Sequence, residues 1–181
     1  MKAGATETNV GRRILMGMAP SAPHIDTPDR TPPLAAVLAF GPAGLIVILG
    51  LLGWAGWAWA VAAGRLWAAA ILLFLAGVTR GLSFFTEGGP RPAQLASMMV
   101  RFVCGLLALA LPTLPIGAAP FLSWLLLFAG FLSVLLFDPP AARQGMAPRY
   151  FARLRGPQMF VALAGIVLLA AADLSAAGVR M

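Results

Sequence analysis

Any chemistry in this chain must come from a short roster of side chains. The sequence holds one histidine, His24, one cysteine, Cys104, and six acidic residues. His24 lies in a polar N-terminal stretch, so one chain cannot place two axial imidazoles within an apolar span. No His/Cys/carboxylate group has the spacing of a metal site, and one histidine rules out most zinc sites. There is no glycine-rich phosphate loop ahead of a helix and no G-x-S-x-G elbow. Ser97 and Ser123 lack a histidine base and are expected to hydrogen-bond helix carbonyls or a neighbouring span. The expectation is a protein that is not an enzyme, with no cofactor, no metal and no catalytic residues. Cys104 reads as a small buried hydrophobe.

Arg101, in "MMVRFVCG" (98–105), is the exception. An arginine at the centre of an inserted helix costs about 2.5–3.5 kcal/mol, so it needs protein, water or headgroups around it. Helical spacing puts Gln94, Ser97, Arg101, Gly105 and Ala108 on one small, polar face, with Met99, Phe102, Leu106 and Leu109 elsewhere. Arg80 lies in the same leaflet, and Glu87, in the following loop, is the nearby acid. Three readings of Arg80, Arg101 and Glu87 stay open. The arginines snorkel to headgroups, Arg101 pairs with Glu87, or the spans enclose a pocket for an anionic lipid or polar ligand. Asp173 sits about 10 Å higher than Arg101 at about 1.5 Å per residue. It is expected to be hydrated at the interface or to touch the 112–120 loop, not to carry protons.

The elements that position these residues follow from composition. The chain is 60% hydrophobic and 10% charged, whereas a soluble domain carries about 25% charged residues. Its apolar residues form blocks long enough to cross a hydrocarbon core of about 30 Å. The sequence predicts an all-α integral membrane protein with spans near 34–58, 66–85, 93–111, 121–137 and 159–178, forming one domain over 34–181. Residues 1–33 read as a polar cytoplasmic arm, because "ILMGMAP" is short of a signal-peptide apolar core.

With five crossings, Lys2, Arg12, Arg13, Arg30, Arg80, Arg91, Arg143, Arg149, Arg153 and Arg155 share one side, while Arg65 and Arg180 lie on the other. Basic residues stay preferentially cytoplasmic, which predicts an N-terminus inside and a C-terminus in the periplasm. Trp54, Trp57, Trp59, Trp67 and Trp124 then map to the outer interface, where indoles are favoured. This distribution also excludes nucleic acid as the explanation of the +7 net charge.

The 138–157 loop carries a short interfacial helix from Pro148, with Arg149, Arg153 and Arg155 toward headgroups and Tyr150 and Phe151 in the lipid boundary. Gly50, Gly53 and Gly56 recur every three residues and offer a flat surface to another helix, in a partner or within the bundle.

"WAAAILLFLAGVTRGLSF" (67–84) and "FDPPAARQGMAPRYFARLRGPQMFVALAGIVLLA" (137–170) resemble a family of small five-span proteins of proteobacterial inner membranes, a domain of unknown function with mitochondrial inner-membrane relatives. Gly145, Pro148, Leu154 and Arg155 form its more specific element; Arg80 before Gly81 departs from its usual aromatic. The resemblance implies fold and address, a multi-pass protein of the bacterial cell inner membrane, and no activity. The expected function is a non-catalytic accessory or assembly subunit packed against a larger, energy-transducing membrane complex, in contact with anionic lipid headgroups. The alternatives are a small homo-oligomeric transporter or channel and, third, a lipid-binding or cofactor-anchoring protein.

Overall fold

The computed structural model describes residues 32–86, 88–143 and 150–178. Among them it contains five long helices and no strand: α1 (Pro33–Trp54), α2 (Ala58–Ser83), α3 (Pro92–Ala110), α4 (Ala119–Arg143) and α5 (Phe151–Gly178). All five are long and apolar enough to cross a membrane. A helix suits that medium because it satisfies its backbone hydrogen bonds within its own segment.

The first break in the chain is specified by a single residue. Gly56 adopts φ of 89°, its N–H bonds the Gly53 carbonyl, and the Trp57 N–H bonds the Leu52 carbonyl. These are the two bonds of a Schellman stop, which needs a residue comfortable in the left-handed region. Gly56 therefore ends α1 and stands apart from the packing stripe to which its spacing assigned it. The stop falls earlier than the sequence suggests, so α2 starts at Ala58 and carries Arg65 inside a helix. At the start of α3, Pro92 occupies a first-turn position that needs no N–H, and the Gln94 side chain accepts from the Arg91 N–H at 3.0 Å.

Each helix packs on its neighbour in sequence, and α5 returns to pack on α1, closing a five-membered ring. Register fixes the directions. Ile46 lies against Gly165, Gly50 against Leu168 and Gly53 against Ala172, so α1 and α5 run parallel. Thr79 meets Arg101 while Ala69 and Leu72 meet Gly105, so α2 and α3 are antiparallel. The Ser123 hydroxyl donates to the Ala108 carbonyl at 2.7 Å and Gly130 faces Cys104, which makes α4 antiparallel to α3. The end of the bundle holding the start of α1 is called the first side below, and the opposite end the second side.

Without a hydrophobic drive between lipid-bathed helices, close approach depends on small residues. Gly50 and Gly53 supply it between α1 and α5, so these two glycines face the bundle's own helices. Gln94, Ser97, Arg101, Gly105 and Ala108 are buried and Met99, Phe102 and Leu106 exposed, as helical spacing predicted; Cys104 joins the buried face, and Leu109, expected elsewhere, is half-buried against the core.

Two segments differ from expectation. α4 does not stop at "DPP"; it continues through Pro139 and Pro140 to Arg143, which places Asp138 within the helix. From Phe151 the chain is already α5, continuous through Pro157, so Arg153 and Arg155 occupy the first turns of the fifth long helix. Residues 144–149, including Arg149, lie outside the described residues, as does the arm to residue 31.

Candidate functional site

Arg101 is fully buried, the largest such side chain among the described residues. Its guanidinium donates through Nη1 to Thr79 Oγ1 at 2.5 Å and through Nη2 to Asp138 Oδ1 at 2.6 Å. Thr79 in turn donates to the Leu75 carbonyl of its own helix at 3.0 Å, which leaves its oxygen lone pairs facing the arginine. The other oxygen of Asp138 lies 3.3 Å from Arg155 Nε, and Arg155 Nη1 donates to Gln158 Oε1 at 3.0 Å. Four helices thus converge on one ionic cluster: Thr79 from α2, Arg101 from α3, Asp138 from α4, and Arg155 with Gln158 from α5. Arg101, Arg155 and Gln158 are all buried.

This arrangement replaces snorkelling. An arginine reaching for headgroups would expose its tip, whereas Arg101 spends both terminal nitrogens inside the ring. Asp138, not Glu87, is the described carboxylate that meets it; Glu87 lies outside the described residues. Arg80 does not join the cluster. Its guanidinium lies 4.4 Å over the Phe84 ring and 3.5 Å from Ser83 Oγ, at the end of its own helix. Of the residues expected at the lipid boundary, Arg155 is buried in the cluster and Arg153 is exposed. Tyr150 is half-buried in the turn before α5; Phe151 begins the helix, its side chain outside the described set.

A second cluster sits toward the second side. Arg65 of α2 and Asp173 of α5 form an ion pair at 2.5 Å, and the Trp124 indole N–H of α4 donates to the same carboxylate oxygen at 2.8 Å. The Arg65 guanidinium also lies 4.6 Å over the Trp124 ring. Asp173 therefore has a charged partner and an indole donor, neither of them from the 112–120 loop, and its side chain stays partly exposed. Trp124 is buried, while Trp54, Trp57 and Trp59 are exposed near the α1–α2 turn. Both members of the Arg65–Asp173 pair are partly exposed, and solvent screening holds such a pair to about 0.2–1 kcal/mol. Asp173→Asn is expected to lower thermal stability in detergent by an amount in that range, with Trp124 fluorescence shifting as its acceptor changes.

The third feature is a lateral cavity of about 480 Å³ on the first-side half of the bundle. α1 packs far more extensively on α5 than on α2, and the cavity occupies the resulting gap. Leu38 and Ala39 form one wall and Ala70 and Phe74 the other; Tyr150, Arg155 and Gln158 form its polar foot. Trp67 closes the far end, its indole N–H donating to the Pro42 carbonyl at 3.0 Å and joining α2 to α1.

Among the described residues no group of three or more His, Cys, Asp or Glu side chains could hold a metal ion. The clusters present guanidinium, carboxylate, hydroxyl and indole groups in mutual contact and tie the helices that carry them to one another. Asp138 escaped the sequence reading because "DPP" looks like a helix stop. The usable signal was an acid directly after "FLSVLLF", on the same side of the bundle as the start of the span that carries Arg101. Arg65 and Asp173 both fall toward the second side in the sequence, but the sequence alone did not pair them. Neither family models, nor curated proteins, nor solved structures provide a match to this chain.

Proposed function

We propose that this protein is a non-catalytic accessory or assembly subunit of a larger membrane complex, a fixed five-helix scaffold and not a moving carrier. One observation carries the reading: ionic clusters near both ends of the ring tie α2, α4 and α5 together twice, with α3 joined at one of them. Alternating access requires one helical group to rock against another about a midplane site. Here such motion would pull buried guanidinium groups from their carboxylates, at a cost of several kcal/mol.

The address belongs to the same proposal. Basic residues concentrate on the side of the N-terminus, and the parallel course of α1 and α5 puts the termini of the bundle on opposite sides. The positive-inside rule then places the N-terminus in the cytoplasm and the C-terminus in the periplasm of a bacterial inner membrane. The resemblance to five-span inner-membrane proteins points the same way, and an energy-transducing complex is the partner class it suggests.

Purification of the intact protein from its native membrane in mild detergent tests the proposal. A stoichiometric complex with other membrane subunits is expected. A homodimer that passes solute after reconstitution into vesicles would replace the scaffold with the transporter reading, and pigment or haem absorbance in the pure protein would replace it with a cofactor anchor.

A further inference from the structure

We propose that the cavity between α1 and α2 holds one acyl chain of a first-side-leaflet phospholipid as a fixed part of the fold, selected by its length and indifferent to its headgroup. Three observations converge on this occupant.

The first is that the two helices are pinned into a wedge. On the second side Gly56 turns α1 directly into α2, and a Cβ at Gly53 would lie 3.0 Å from the Val61 side chain. Further in, the Trp67 indole N–H bonds the Pro42 carbonyl at 3.0 Å. The seat of α1 on α5, where Ile46 and Gly50 meet Gly165 and Leu168, sets its direction. From Pro42 toward the first side α1 and α2 therefore part, and the cavity of about 480 Å³ lies in the opening. Such a gap forfeits the packing contacts of its walls unless something fills it.

The second is depth and surroundings. The α2 wall runs from Trp67 to Val78, about 16 Å at 1.5 Å per residue. Half of a hydrocarbon core is about 15 Å, so a chain entering from the first-side headgroups ends at the Trp67–Pro42 bond. Leu38 and Phe74, on the two lips, are 65% and 69% exposed on helices apolar enough to cross a membrane. The medium outside the cavity is thus lipid hydrocarbon.

The third is wall chemistry. Leu38, Ala39, Ala70, Ile71 and Phe74 present hydrocarbon. Water between them lacks the roughly 2–4 polar partners that hold a buried molecule. At the foot, Arg155 is held by Asp138 and Gln158. Recognition accordingly rests on the chain and not on the headgroup.

The experiment uses the full-length protein, delipidated in detergent, and reads its melting temperature as phospholipid is added. Palmitoyl-oleoyl phosphatidylcholine at roughly a hundredfold excess over its dissociation constant should raise it by about 5–10 °C for a chain of this size. Palmitoyl-oleoyl phosphatidylglycerol should raise it equally. Dihexanoyl phosphatidylcholine, whose chains are too short to reach Pro42, should not. Ala70→Phe fills the cavity from an exposed position on its wall and should abolish the response. Val100→Phe puts the same ring on the exposed face of α3, away from the cavity, and should respond as wild type does.

No rise, an equal rise with dihexanoyl lipid, or a preference for either headgroup would overturn the proposal, as would an undiminished rise in Ala70→Phe. The chain-length comparison is made on wild type, so it decides the matter even where Ala70→Phe fails to assemble. A rise seen only after removal of residues 1–31 would make that segment the occupant and would also overturn the proposal. None of these outcomes depends on whether a partner complex exists, so failure here leaves the scaffold reading standing.

Discussion

Asp138→Asn should be the most damaging single substitution in the protein. The change keeps the shape of the side chain and removes its charge, leaving Arg101 and Arg155 buried against an amide. Breaking a buried ion pair by removing one partner costs about 3–5 kcal/mol, because the surviving charge has lost its compensation. Here two guanidinium groups lose the same carboxylate. The expected result is loss of a sharp thermal transition in detergent and a fall in the amount of protein recovered from membranes. Arg101→Met should be milder, since Asp138 then retains Arg155. The double variant Asp138→Asn with Arg101→Met should be more stable than Asp138→Asn alone, because it no longer buries Arg101 opposite a neutral amide. Contacting residues give such non-additive energies, and a thermal-shift cycle over the four proteins measures the term. Additive losses would mean that Arg101 and Asp138 do not share a site.

Gly165→Ala should rank next, although it adds one carbon. A Cβ there would lie 2.8 Å from the Val47 backbone nitrogen, 2.8 Å from Ile46 Cγ2 and 3.0 Å from the Ile46 carbonyl carbon. Two of those three atoms are backbone and cannot rotate away, so α1 and α5 must separate. Overpacking of this kind costs about 1–3 kcal/mol. Gly77→Ala is the control: nothing lies within 4 Å of its added carbon, and helix propensity favours alanine by about 1 kcal/mol. The melting temperature should fall for Gly165→Ala and hold or rise for Gly77→Ala. Equal effects would remove the α1–α5 contact from the account.

How much of this was readable in the sequence depended on whether a feature was local. The α3 face around Arg101 was legible because helical period alone sorts Ser97, Arg101 and Gly105 from Met99, Phe102 and Leu106. The number of apolar helices was legible because block length and bilayer thickness set it. Arg101's partner was not, since "DPP" usually ends a helix and here does not; α4 runs on from the expected end at Phe137 to Arg143 and places Asp138 within the helix. Arg65 was misplaced for the related reason that the Schellman stop at Gly56 ends α1 early, making Arg65 a helix residue where block counting left it in a loop. Gly50 and Gly53 had the spacing of a packing surface, but spacing does not say which helix covers it, and α5 is 115 or more residues away in sequence at those contacts. The lateral cavity left no mark at all in the sequence, because it arises from α1 leaning on α5.

Ring closure by a parallel α5 underlies the ionic clusters, the cavity and the placement of the termini, and one disulfide tests it. In a Cys104→Ala background, Gly53→Cys and Ala172→Cys are introduced together. A Cβ at Gly53 lies 3.4 Å from the Ala172 Cβ, near the range of about 3.5–4.5 Å that a disulfide spans. Mild oxidation in membranes should make both thiols refractory to a maleimide mass tag, within one chain, while Gly41→Cys paired with Ala172→Cys remains fully tagged. Tagging of both thiols in the Gly53–Ala172 protein, with cross-linking of the Gly41 pair instead, would mean that α5 runs the other way and that the ring does not exist.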